Sequence, residues 1–386
     1  MVRVAFFTAT RGDIGCLSPV IHQMYRTKGL KPLLFVGGTH LKKNYGYTVR
    51  EIKKEKLKIS GYFNYSIKGN NQPQLLNSLA EAHEKISKIF KKFKFDYVFI
   101  VGDRFEQLAV VNNSILFNKP IIHFSGGEET AGVIDDQVRH MITKSAHLHF
   151  VMCDKYKKNI LSMGEESHRV FNVGNLSLYN IKKIKFNKKE NLFKKYKIDA
   201  KKPLAIFTYH PVTLKTNLSS IKQIQNIFEA IKRFNIQFLI TTPGHDHGRD
   251  VLLKHIQNRV KNNKNFFYVK SLGFKNLFNF YKYADFVIGN SSSGIGQTPF
   301  FKIPTINIGE RQMGRYFHKS IINCGYTSKE IYEAVKKAQN PNFLKSLKTM
   351  KFMFKKGNSA KKIIQVIKKT KIDKKLIWKK LVKNVN

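Results

Sequence analysis

Short apolar runs punctuate this chain, and most of them close on glycine or a polar cluster. Residues 2–8 read as a first strand, ending in Thr8-Ala-Thr-Arg-Gly-Asp-Ile-Gly15 before a helix over about 16–28. Leu33-Leu-Phe-Val36, Val98-Phe-Ile-Val101 and Pro120-Ile-Ile122 repeat the form, and His147 to Val151 and Val170-Phe-Asn-Val-Gly174 introduce two more strands. Between them, Leu75, Leu76, Leu79, Ile86 and Ile89 recur at helical spacing over 74–92, and a further helix fits 105–117. After 181–202, which is Lys- and Asn-rich and lacks strand pattern, the alternation restarts. Leu204 to Tyr209, Phe238 to Thr242, Phe266 to Val269, Phe286 to Gly289 and Thr305 to Ile308 read as strands, with helices at about 217–234 and 276–283.

Strands alternating with helices predict an α/β protein built on parallel, doubly wound sheets. Two successive Rossmann-like halves with a cleft between them are the simplest arrangement. The expected boundaries are 1–180 and 181–360, with a basic helical tail over 361–386 that packs back on the first domain or stays solvated. The length of 386 residues suits two domains. Open sheets of this kind bind ligands in the crevice beyond the carboxyl ends of their strands. The polar endings of the runs are therefore where the chemistry should lie.

Composition narrows the choice. The formal net charge is +45. Lysines are spread over the whole chain, without zinc-finger spacing or an RNA-recognition aromatic motif, so no specific nucleic-acid partner is expected. No apolar stretch reaches the length of a membrane span. The N-terminal run reads as a strand rather than a signal peptide. Three scattered cysteines, Cys16, Cys153 and Cys324, fit a reducing cytoplasm.

Against this basic background, Glu128, Glu129, Asp135 and Asp136 crowd into the stretch Ser125 to Lys144, a glycine-rich turn running into a charged helix. Asp103, after Val98–Val101, should face the same crevice. Arg139 and His140 follow the acidic pair at helical spacing, where they could orient the acids or bind substrate. Asn290-Ser-Ser-Ser-Gly294 after a buried strand can cradle a phosphate or simply cap a helix. Arg11, Arg311, Arg315 and His210 add donors on the same rim. His245-Asp-His247 lacks a third ligand at zinc spacing, so no metal is expected. A basic, glycine-lined rim facing carboxylates suits a nucleoside-diphosphate ligand with its reacting end toward the acids.

In their order, these motifs resemble the hydrolysing UDP-N-acetylglucosamine 2-epimerases of sialic-acid and related nonulosonate biosynthesis. The matches are Thr10-Arg-Gly-Asp13, Gly38-Thr-His-Leu41, Asn44-Tyr-Gly-Tyr-Thr48, Gly102-Asp-Arg-Phe105 and Gly126-Gly-Glu128, then Ile134-Asp-Asp-x-x-Arg-His140 and Ile142-Thr-Lys144. They continue through His210-Pro-Val-Thr213, Gly289-Asn-Ser-Ser-Ser-Gly294 and Asn307-Ile-Gly-x-Arg-Gln-x-Gly-Arg315, so that roughly residues 1–330 are covered.

The resemblance implies a glycosyltransferase-B-like fold with the active site in the inter-domain cleft. It implies that UDP leaves C1 as the C2 proton is removed, that a 2-acetamidoglucal forms, and that water returns the free 2-epimeric sugar. For UDP-N-acetylglucosamine the product is N-acetylmannosamine. The same chemistry on UDP- or GDP-linked diacetylbacillosamine, toward legionaminic acid, is the alternative. A non-hydrolysing epimerase and a non-catalytic sugar-nucleotide-binding protein are further alternatives. Asp103 and Asp135 match acid/base carboxylates of the family, and Glu128 is a further catalytic candidate. Arg11, His210, Asp246, Ser291, Ser292, Gln297 and Arg311 match nucleotide and phosphate positions, Arg104 a substrate-side arginine. No cofactor is implied. The expected partner is a UDP-sugar, and a homo-oligomer is compatible with the sequence.

Three positions depart from the family pattern. Ser125 stands where some members carry a catalytic Glu and others His. Gln297 stands where relatives commonly have Glu, and an amide has one acceptor oxygen and no charge. Gly244 stands where relatives usually have Asn.

Overall fold

The computed structural model describes residues 1–67, 71–178, 181, 184–214, 217–244, 246, 248–261, 263–354 and 357–382, without the side chain of Arg11. Two sheets organise them. The first contains β1 (Val2–Thr8), β2 (Leu30–Gly37), β3 (Ile59–Phe63), β4 (Tyr97–Val101), β5 (Ile121–Phe124), β6 (Leu148–Val151) and β7 (Val170–Asn172). Their order is β3-β2-β1-β4-β5-β6-β7. The second contains β8 (Leu204–Thr208), β9 (Gln237–Thr241), β10 (Phe266–Val269), β11 (Phe286–Gly289), β12 (Thr305–Ile308) and β13 (Ile321–Cys324), in the order β10-β9-β8-β11-β12-β13. Every pairing is parallel.

The sequence explains why these strands lie inside. Tyr97-Val-Phe-Ile-Val101 and Phe286-Val-Ile-Gly289 are buried at every position. Helices cover both faces, which is how an all-parallel sheet keeps its apolar runs from water. Each fully buried aliphatic side chain contributes about 1.5–3 kcal/mol by leaving water. The helix Ser359–Lys369 adds Ile363, Ile364 and Ile367 to the core of the first sheet. The chain beyond it is fastened there by polar contacts. Buried Arg169 donates to the carbonyls of Lys375 and Leu376, each at 2.7 Å, and Lys379 Nζ lies 2.9 Å from a Glu165 oxygen.

Several boundaries differ from the sequence reading. The first helix spans Arg11–Tyr25, because Thr10 and Asp13 form a capping box at its start. Within 181–202, the helix Lys189–Lys195 buries Leu192 and Phe193 in the second core. The edge strands β3 and β13 carried no strong pattern, being short and partly exposed. Among the described residues, no helix is long and apolar enough to cross a membrane.

Strand order reverses between β1 and β4 in the first sheet, and between β8 and β11 in the second. Both reversals open a crevice at the carboxyl ends of their strands. The two crevices face each other.

Candidate active site

The shared cleft has a volume of about 460 Å³ and takes its walls from both sheets and their loops. That is within the usual size of a small-molecule site. On the first side, β4 is followed by Gly102, whose φ of +75° turns the chain sharply and delivers Asp103 to the cleft. On the second side, β8 and β11 converge tightly. A Cβ on Gly289 would sit 1.9 Å from the Thr208 carbonyl oxygen, so only glycine fits. Asn290 then clasps β8. Its Oδ1 accepts from the His210 N–H at 2.7 Å, and its Nδ2 donates to the His210 carbonyl at 2.9 Å.

Asp103, Glu128 and Asp135 bring carboxylates to the cleft from the first side. Their environments differ. Asp103 pairs with the guanidinium of Arg139, and Arg315 Nη2 lies 4.0 Å away. Burial alone would raise its pKa, but Arg139 and Arg315 outweigh it and hold the carboxyl below its ordinary range. Glu128, 1% exposed, pairs with Arg315 Nη1. There burial outweighs Arg315 and Arg139, and the pKa is raised. Asp135, in the first turn of the helix Asp135–Ser145, is pushed up to about 6 by burial, against the pull of Arg104 at 3.6 Å. Within one cleft, Asp103 is thus shifted down while Glu128 and Asp135 are shifted up, and carboxyls pushed in opposite directions suit different acid and base roles.

Arg139 holds this arrangement from beneath. It is buried, and it donates to the Glu128 carbonyl at 2.9 Å, to Asp136 Oδ1 at 3.0 Å and to Thr130 Oγ1 at 2.9 Å, besides Asp103. Its place is as a bracket for the acids.

On the second side, His210 Nδ1 accepts the Gly244 N–H at 2.8 Å, so the ring proton resides on Nε2 as a donor. Arg311 donates toward the Asn290 carbonyl at 3.3 Å and pairs with Asp246 Oδ2 at 3.4 Å. Asp246 Oδ1 also accepts from Arg104 Nη1 at 2.5 Å, so it bridges an arginine from each side. Ser291 and Ser292 face the cleft where the helix Ser292–Gly296 begins. Gln297 lines it as well, with its Oε1 buried and without a hydrogen-bond partner. A Cβ on Gly244 would lie 3.1 Å from His210 Nδ1, so a side chain there would press on that imidazole. Leu272, Phe274, Leu277 and Phe278 give this end an apolar wall that a planar base can lie against.

The structure does not bring every candidate to the cleft. His140 faces away and sits 3.3 Å from Asp136 Oδ2. The side chain of Arg11, and His245 and His247, lie outside the described residues. Among those described, no group of three or more His, Cys, Asp or Glu residues could hold a metal ion. Two residues do more in the structure than their sequence context indicates. Arg315 stood there only as a donor on a phosphate rim, yet it reaches the acids of the opposite side. Asp13 seemed only part of a motif, but it is a cleft-lining carboxyl whose pKa burial lifts to about 6 against the Thr10 and Ala9 N–H groups. Its position two residues after Arg11, in the turn that follows the first strand's run, was the available signal.

Comparison with known proteins adds an independent line. A family model described as UDP-N-acetylglucosamine 2-epimerase matches residues 22–368. The GDP/UDP-N,N'-diacetylbacillosamine 2-epimerase (hydrolyzing) of Campylobacter jejuni is 35% identical over 343 residues, 88% of this chain and 88% of its own length. The UDP-N-acetylglucosamine 2-epimerase of Neisseria meningitidis serogroup B is 29% identical over 338 residues, 88% of each chain. A crystal structure of UDP-GlcNAc 2-epimerase from Neisseria meningitidis bound to UDP-GlcNAc superposes with a TM-score of 0.80 at 17% identity, over 96% of this chain and 100% of that one. That likeness bears on the fold, which is glycosyltransferase-B-like.

Proposed function

The chain belongs to the UDP-N-acetylglucosamine 2-epimerase family, and from that premise we propose that it is a hydrolysing nucleotide-sugar 2-epimerase. The observation that carries this reading is the meeting of Asp103, Glu128 and Asp135 with Arg311, Arg315 and His210 in one cleft between the two sheets. The basic side suits a diphosphate, and the acidic side suits proton transfer at carbon.

In this reading UDP departs with the electrons of its bond to C1, and Asp135 takes the C2 proton, leaving a C1–C2 double bond. A base with a pKa of about 6 is ionised at neutral pH yet still basic enough for the task. Asp103, held ionised, faces the positive charge that develops at C1. Arg311 and the Nε2–H of His210 stabilise the departing diphosphate, a contribution of about 2.7–4 kcal/mol per well-placed donor. Water then bonds to C1 and loses a proton, and Glu128, whose pKa burial raises, delivers a proton to C2 on the other face. The proton lost by water recharges Glu128, and Asp135 returns its own to solvent. Glu128 supplies the second proton-transfer group that Ser125 cannot.

For the substrate, the higher identity to the Campylobacter jejuni protein favours a UDP- or GDP-linked diacetylbacillosamine. UDP-N-acetylglucosamine is the second reading, favoured by the Neisseria meningitidis relative. A proton NMR time course with each nucleotide sugar tests both. The expected result is a free 2-epimeric sugar and free nucleotide from one of them. A 2-epimer still attached to its nucleotide as end product would reject the hydrolysing assignment.

A further inference from the structure

A buried histidine outside the proposed proton transfers closes a ring of contacts around Asp103. His123, in β5, is fully buried. Its Nε2 lies 2.8 Å from the carbonyl oxygen of Gly102. A carbonyl only accepts, so Nε2 carries the ring proton and donates it. Nδ1 is then an acceptor, and the Thr143 hydroxyl stands 3.2 Å from it. The same hydroxyl lies 2.9 Å from the carbonyl of Arg139 and shares its proton between the two. The Arg139 guanidinium returns to the carboxylate of Asp103, the residue after Gly102. Gly102, His123, Thr143, Arg139 and Asp103 thus form a closed circuit, completed by one peptide bond.

Each link has a reason to be there. Gly102 adopts φ +75°; its N–H donates to the Phe124 carbonyl at 2.9 Å, and the His123 donor holds its carbonyl. Space for the imidazole depends on Gly126, where a Cβ would lie 2.9 Å from His123 Nδ1 and 2.8 Å from Thr143 Oγ1. Burial pushes the His123 pKa down to about 3, so the ring stays neutral and keeps one donor and one acceptor nitrogen. Thr143 and Arg139 sit one turn apart on the helix that also begins with Asp135. One side chain therefore ties the turn before Asp103 to the helix that carries its counter-charge.

We propose that His123 is a positioning residue that fixes Asp103 against Arg139 while touching neither substrate nor nucleotide. This rests on the reading of Asp103 as an active-site carboxylate. The alternative is a histidine that merely satisfies buried polar groups, which would affect folding without touching turnover.

His123→Phe removes both polar contacts and keeps a ring of similar size. The expected result is a loss of about 10²-fold in kcat, because small misplacements of a reacting group cost that much. UDP affinity by calorimetry should stay within about twofold, since only uniform binding would alter it. His123→Gln, which can return an N–H to the Gly102 carbonyl, should recover about tenfold of the loss. Turnover is expressed per folded molecule, with thermal unfolding measured on the same samples. If His123→Phe does not fold, Thr143→Val cuts the circuit at its next link and should lower kcat by about tenfold with UDP affinity intact. Near-normal kcat in a folded variant that lacks the link, a loss of UDP affinity as large as the loss of kcat, or no recovery in His123→Gln would each overturn the inference. Asp103→Asn, measured alongside, separates the two readings. Full turnover in that variant removes the role of Asp103 itself. Its inactivity beside a fully active His123→Phe overturns the positioning role alone.

Discussion

Arg104 Nη1 and Asp246 Oδ1 stand 2.5 Å apart across the cleft, one from each side. Arg104 also lies 3.6 Å from Asp135 and 3.5 Å from Glu106, while Asp246 reaches Arg311 at 3.4 Å. The pair therefore couples the acids to the basic rim of the second side and holds the two sides together. Breaking a buried ion pair by removing one partner costs about 3–5 kcal/mol, since the other charge stays behind. Arg104→Ala and Asp246→Ala should each lower the melting temperature. The double variant should be less destabilised than the two losses summed, with a coupling of about 0.5–3 kcal/mol. Chemical denaturation of all four proteins in the cycle measures it, and strict additivity would show that the pair does not hold the cleft.

Arg311→Ala should mainly weaken nucleotide binding. The side chain is buried and anchored by Asn290 and Asp246, so its charge is presented without loss of rotamer freedom on binding. Losing a charged hydrogen bond costs roughly 1.5–3 kcal/mol, about a tenfold to hundredfold rise in the Kd for UDP. Calorimetric titration decides it, and unchanged affinity would take Arg311 out of the phosphate site.

Gln297→Glu should tighten UDP binding. Gln297 lines the cleft with an amide oxygen that has no partner, and a carboxylate there would offer the ribose hydroxyls a charged acceptor. Charged hydrogen bonds are roughly twice as strong as neutral ones. The same calorimetry tests this. If the variant binds UDP no better, the orphaned oxygen is not directed at the nucleotide.

Much of this arrangement was legible in the chain. Val98–Val101 and Phe286–Gly289 are long enough and apolar enough to declare buried strands, and Asp103 and Asn290 follow from where those strands end. The edge strand Ile59–Phe63 was not, because an edge buries one flank and tolerates polar residues and Gly61. The helix Lys189–Lys195 hid in a Lys-rich segment since only Leu192 and Phe193 turn inward. Arg315 could not be assigned to Glu128 from spacing, for the two are 187 positions apart and meet only when the sheets face each other. His140 was drawn to the cleft by its neighbours, but a helix turns each successive residue by about 100°, and the Arg139 direction was the inward one.

The last prediction concerns the two aspartates, whose environments give opposite signs. Asp103→Asn and Asp135→Asn should each lower turnover by at least about 10²-fold, as the amide keeps the shape but cannot exchange a proton or carry the charge. Their effects on stability should diverge. The folded pKa of Asp103 is lowered by Arg139 and Arg315, so its ionised form stabilises the fold above the unfolded pKa of 3.8. Asp103→Asn should therefore melt lower than the parent at pH 8, and the deficit should fade as pH falls below that value. The folded pKa of Asp135 is raised to about 6, so the folded state holds a proton that the unfolded chain has lost between 3.8 and 6. Stability from that group is full below 3.8 and is lost as pH rises to about 6. Asp135→Asn should then melt no lower than the parent at pH 8, and match it at the acid end of that window. Arg104 retains Asp246 and Glu106 when Asp135 is neutralised, which limits the charge left unpaired. Thermal unfolding of both variants across pH, with turnover on the same samples, checks each half. A stabilised Asp103→Asn at pH 8 would mean that Arg139 and Arg315 do not hold that carboxyl in its charged form. A folded variant with near-normal turnover would strike its aspartate from the reaction.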